Sequence, residues 1–89
     1  MSEVCRVLLI EDRPTDAGLI RAELATIRRP RVDVTHRDTV QAGIERLGQG
    51  GIDLVLLDFS LPDSEGIETY HCIRDTHPEV PVIVLTGLD

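Results

Sequence analysis

Ile52-Asp53-Leu54-Val55-Leu56-Leu57-Asp58 is the most apolar stretch of the chain, and it ends in a carboxylate. Gly48-Gln49-Gly50-Gly51 precedes it and a segment rich in Ser, Pro and Asp follows. A short continuous apolar run bounded by turn residues suits a strand buried on both faces. Val7-Leu8-Leu9-Ile10 has the same character and ends in Glu11-Asp12, and Val82-Ile83-Val84-Leu85-Thr86 repeats it near residue 89. Helix signals alternate with these runs, which is the pattern of a parallel α/β sheet.

Outward from that stretch, each remaining segment has a local signature. Pro14 sits where a first helical turn tolerates it, and Leu19, Ile20, Leu24 and Ile27 follow at helical spacing. Val32 and Val34 alternate with polar residues, which predicts a second, more exposed strand at a sheet edge. Asp38 with Gln41 three residues on resembles a capping box, and Val40, Ile44 and Leu47 form the stripe of the helix it opens. A loop over residues 59–66 leads to a third helix carrying Ile67, Tyr70 and Ile73. The order is β-α-β-α-β-α-β, with right-handed crossovers expected between parallel strands. A following helix would be expected to cover the fourth strand, and these 89 residues encode none.

Composition narrows the functional classes. Eighty-nine residues amount to one domain. Nine basic residues, all arginine, against 16 acidic ones give a net charge of −7, which disfavours binding to a phosphate backbone. One Phe, one Tyr and no Trp leave no platform for stacking bases, so direct nucleic-acid contact is not expected. No apolar run approaches the ~20 residues of a membrane span. Met1-Ser2-Glu3-Val4 lacks the basic and apolar regions of a signal peptide, and Cys5 and Cys72 have no metal-like spacing. A soluble, cytoplasmic domain with two reduced thiols is expected.

Sites in an open parallel sheet form beyond the carboxyl ends of the strands, where strand order reverses. Glu11-Asp12, Asp58 and Thr86 stand at three such ends. If the first and third strands are neighbours, three carboxylates converge there and repel. A divalent cation relieves the repulsion, and hard oxygen ligands with positions left for water suit Mg²⁺. Taken singly, an Asp at a strand end is more often a cap or turn residue, and Asp38, Asp53 and Asp63 keep that reading. The case for a site rests on the joint placement of Glu11, Asp12, Asp58 and Thr86.

The segments 7–12, Asp53-Leu54-Val55-Leu56-Leu57-Asp58-Phe59-Ser60-Leu61-Pro62-Asp63-Ser64-Glu65-Gly66 and Pro81-Val82-Ile83-Val84-Leu85-Thr86-Gly87 together resemble the receiver domain of two-component response regulators. The resemblance runs over residues 1–89 and implies a flavodoxin-like, doubly wound parallel sheet of strand order 2-1-3-4. It also implies that the fifth strand and last helices of that fold lie outside these residues. On it, Asp58 is the phosphoacceptor, and Glu11, Asp12, Asp58 and the backbone carbonyl of Ser60 hold Mg²⁺. Thr86 is the switch hydroxyl with Gly87 beside it, and Pro62 and Gly66 shape the loop after Asp58. The implied partner is a sensor histidine kinase or a phosphotransfer protein.

The family's pocket also holds a lysine at the end of the fifth strand, and this sequence has no lysine. Weak or short-lived phosphorylation is therefore expected of these 89 residues. A second function remains open: a noncatalytic interaction domain assembling through an exposed sheet edge. An Mg²⁺-dependent phosphohydrolase is disfavoured, because that chemistry wants an aspartate where Ser60 stands. Without a fifth strand, Val82 to Thr86 becomes a long apolar edge, which predicts a homo-oligomer built through the fourth strand. His36, His71 and His77 share no metal spacing and read as surface residues; Cys72 reads as a buried or half-buried thiol, and Arg28, Arg29 and Arg31 as a solvated helix end.

Overall fold

The computed structural model describes residues 3–58, 60, 61 and 64–85. Its elements run β1 (Val4–Ile10), α1 (Pro14–Ala25), β2 (Arg31–Arg37), α2 (Val40–Gly48), β3 (Leu54–Asp58), β4 (Ser60–Leu61), β5 (Ser64–Glu65), α3 (Gly66–Thr76) and β6 (Val82–Leu85). The main sheet is parallel, in the order β2-β1-β3-β6. This is the expected 2-1-3-4 arrangement, with β6 as its fourth strand. The expected plain loop after Asp58 instead contains a small antiparallel ribbon, β4 paired with β5.

Side-chain alternation along the central strands divides the core into two layers. Leu8, Ile10, Val55 and Leu57 point to one face, where Val40 and Leu47 of α2 and Ile73 of α3 cover them. Val7, Leu9 and Leu56 point to the other, against Ala17 of α1 with Ile20 and Leu24 beside it. Helices on both faces make the sheet doubly wound. This explains why the apolar runs of β1 and β3 are continuous rather than alternating. Gly43 lets α2 approach β1 closely: a Cβ there would overlap the Ile10 side chain, 2.9 Å from its Cγ1.

Several local expectations shift by a residue or two. In α1 the sheet-facing residues are Ala17, Ile20 and Leu24, whereas Leu19 is 63% exposed and Ile27 lies past the helix end. Leu19 sits about 100° around the helix from Ile20, which takes it off the buried stripe. Thr39, not Asp38, caps α2, its Oγ1 accepting from the Ala42 amide at 3.1 Å, the N-cap-to-N3 offset. In α3, Thr69 and Ile73 face inward, while Ile67 is exposed. Cys72 is exposed as well, against the buried or half-buried thiol expected. Asp53 precedes β3 and joins the strand starts: its amide donates to the Arg6 carbonyl at 2.7 Å, and its Oδ2 accepts from the Arg6 amide at 2.9 Å.

Thr69 is fully buried, and its hydroxyl has no hydrogen-bond partner among the described residues. An orphaned buried hydroxyl costs about 1–3 kcal/mol, and valine has nearly the same shape without it. Thr69→Val is expected to raise the unfolding free energy by about 1 kcal/mol, read as a higher urea midpoint at unchanged slope. A lower midpoint would mean that the hydroxyl is satisfied in solution.

Candidate metal site at the strand ends

Ile10 of β1 is in register with Leu57 of β3, so the next residues, Glu11 and Asp58, emerge side by side at the carboxyl edge. The chain leaves β1 for β2 on one side, and β3 lies on the other, which makes this the switch point of the sheet. Asp58 is half-buried at the end of β3, and Asp12 is exposed in the bend after Glu11. Each of the three carboxylates offers one oxygen, and these oxygens lie within 4.8 Å of one another.

Glu11 is the anchored member, only 1% exposed. Its amide donates to the Arg37 carbonyl at 2.9 Å, and its own carbonyl accepts from His36 Nε2 at 2.7 Å. Its Oε1 accepts from the Arg13 amide at 3.1 Å. Burial raises the Glu11 carboxyl from an ordinary 4.5 to about 7. The Arg13 amide opposes the rise, whereas the charge of Asp58, a proton shared with it and the charge of Asp12 add to it.

The donor set fits a hard divalent cation. Among the described residues, Glu11 Oε2 is buried with no hydrogen-bond partner. That oxygen beside two further carboxylates is the ligand chemistry of Mg²⁺, and the exposure of Asp12 leaves room for water. Glu11, Asp12 and Asp58 could hold such an ion.

Of the residues expected at the site, the structure brings these three together. Thr86, Gly87 and Pro62 lie outside the described residues. Leu85, the residue before Thr86, is in register with Asp58, and Ser60 opens β4 two positions after it. Sequence reasoning missed His36, which is half-buried and hydrogen-bonded to the site instead of lying free on the surface. No sequence signal marked it, because its role comes from the register that aligns it with Leu9 in β1, two residues short of Glu11.

This fold and this acidic edge coincide with the result of comparison with known proteins. The profile of the response regulator receiver domain matches residues 7–89, and the chain belongs to that family. It is 35% identical over 79 residues to the luminescence regulatory protein LuxO of Vibrio campbellii, covering 89% of this chain and 17% of that protein. It is also 35% identical over 83 residues to the transcriptional regulatory protein YkoG of Bacillus subtilis, covering 93% of this chain and 35% of that one. The chain thus spans only a minor part of either relative. Among solved structures, the MaeR response regulator bound to beryllium trifluoride superimposes with a TM-score of 0.83 at 29% identity, over 96% of this chain and 69% of that one. A chain from the complex of histidine kinase ThkA with response regulator protein TrrA gives 0.79 at 25% identity, over 96% and 71%. Among the described residues, no helix is long and apolar enough to cross a membrane.

Proposed function

We propose that residues 1–89 act as a cytoplasmic phosphoacceptor module in a two-component or phosphorelay system, taking a phosphoryl group from a histidine kinase or phosphotransfer protein onto Asp58. The observation that carries this reading is the convergence of Glu11, Asp12 and Asp58 at the switch point. An Asp58 carboxylate oxygen attacks the phosphorus of a phosphohistidine; the new O–P bond forms as the P–N bond breaks, and the imidazole leaves. Bound Mg²⁺ supplies positive charge that lets one anion approach another. Glu11, Asp12, Asp58 and the Ser60 carbonyl would hold it, and the Thr86 hydroxyl would then turn toward the phosphoryl group and carry the change to the surface. Asp58 is consumed once per transfer, so the protein is an acceptor and not an enzyme. A kinase partner is supported by the likeness to a chain of the ThkA–TrrA complex.

Metal binding tests the site directly. The 89-residue chain is expected to bind Mg²⁺ or Mn²⁺ weakly, and Asp12→Ala to bind about 10-fold or more weakly still. Calorimetric titration of both proteins decides it. Equal affinity in the two would remove the β1 carboxylates from the ligand set.

The second reading, an interaction domain assembling through its sheet edge, is favoured by β6. Among the described residues, β6 pairs only with β3, and Ile83 is 49% exposed. Unpaired backbone groups on an apolar edge invite a second strand. The 89-residue chain is therefore expected to sediment as a dimer or larger species at micromolar concentration, and Ile83→Lys to shift it toward monomer. A wild-type monomer under these conditions would exclude association through β6.

A further inference from the structure

We infer that His36 is a positioning residue for the metal site, holding the Glu11–Asp12 peptide in place through its Nε2–H. The inference rests on the proposed metal-binding reading and adds a residue from a strand outside the acidic cluster. The partner of Nε2, at 2.7 Å, is a backbone carbonyl, which only accepts; the ring nitrogen facing it therefore carries a proton whether the imidazole is neutral or charged. The Arg37 carbonyl already accepts the Glu11 amide at 2.9 Å, so β2 grips both polar groups of the Glu11 backbone. His36 is itself held from outside, its own carbonyl accepting from the Arg37 guanidinium at 2.8 Å.

The consequence falls on Asp12. Glu11 is fixed by burial and by the Arg13 amide, but Asp12 is exposed, in a bend just beyond β1. The peptide joining the two residues contains the carbonyl that His36 holds, so its tilt sets where the Asp12 carboxylate emerges. Outer groups that orient metal ligands are worth about 10–100-fold in affinity.

Glutamine and methionine have similar length and bulk, and only glutamine carries a donor near the place of Nε2. Mn²⁺ titration of the full chain is expected to give His36→Gln within about threefold of wild type and His36→Met about 10-fold weaker. A second readout needs no metal. The Asp12 amide nitrogen belongs to the peptide whose carbonyl His36 holds, so its ¹⁵N resonance should move in His36→Met and stay near its wild-type position in His36→Gln. Equal Mn²⁺ affinities for the two variants, with Asp12→Ala still impaired, would overturn the role of His36 while leaving the metal site intact. Asp12→Ala binding as well as wild type would instead remove the metal reading on which it rests. An unmoved Asp12 resonance in His36→Met would also overturn the inference.

Discussion

Asp58→Asn is expected to reduce Mg²⁺-dependent labelling by a small phosphodonor such as acetyl phosphate to background. Asparagine preserves the size of the side chain at the end of β3 and removes the anionic oxygen that would attack phosphorus. The loss should come from chemistry and not from unfolding. Asp58 adds charge beside the buried Glu11 carboxyl, and its replacement relieves that repulsion. The variant should therefore unfold at the same or higher denaturant concentration at pH 8. In wild type the label should be a single phosphoryl group, sensitive to hydroxylamine as an acyl phosphate is, and lost on chelation of the metal. Yield is expected to be low, because the 89 residues include no lysine to pair with the phosphoryl charge. Intact protein mass spectrometry reads all of this. A label that persists in Asp58→Asn would place the acceptor on another residue.

Much of the architecture was legible because burial on both faces imposes a simple rule on β1 and β3. Where helices cover both faces the residues are apolar, so Val7–Ile10 and Leu54–Leu57 stand out whatever packs against them, whereas Arg6 in the outer part of β1 is exposed. Their carboxylate ends were legible for the same reason: a charge closing such a run has to sit at the sheet's edge. Helix faces were less legible. α1 has almost no amphipathicity, so its sequence marks no one stripe, and only packing against Val7, Leu9 and Leu56 selects Ala17, Ile20 and Leu24 over Leu19. Capping was misassigned by one residue because Asp38 and Thr39 are both competent caps, and the Thr39 hydroxyl meets the Ala42 amide. His36 was invisible as a site residue. Its role depends on the β1–β2 register, a long-range pairing that side-chain periodicity does not reveal.

The second large effect expected is a fall in stability as pH rises in the absence of metal. In the folded chain the Glu11 carboxyl titrates at about 7, against an ordinary 4.5. Below about pH 4.5 both the folded and unfolded chains carry the proton, and the group imposes no penalty. Between pH 4.5 and 7 the unfolded chain releases the proton while the folded chain keeps it, so folding becomes less favourable. Above 7 the folded chain ionises as well, and the full cost has been incurred. A difference of that size is worth about 3 kcal/mol, a large share of the ~5–15 kcal/mol that holds a domain folded. Urea unfolding in EDTA across this range should show the decline, and Glu11→Gln should flatten it and be the more stable protein at pH 8. Mg²⁺ should reverse the effect in wild type, because an ion coordinated by Glu11 Oε2 favours the ionised carboxyl that burial and Asp58 disfavour. The same cation should stabilise Glu11→Gln far less. A wild-type curve that stays level from pH 4.5 to 8 in EDTA would mean that Glu11 is solvated in solution, and the buried acidic pocket described for β1 and β3 would then be wrong.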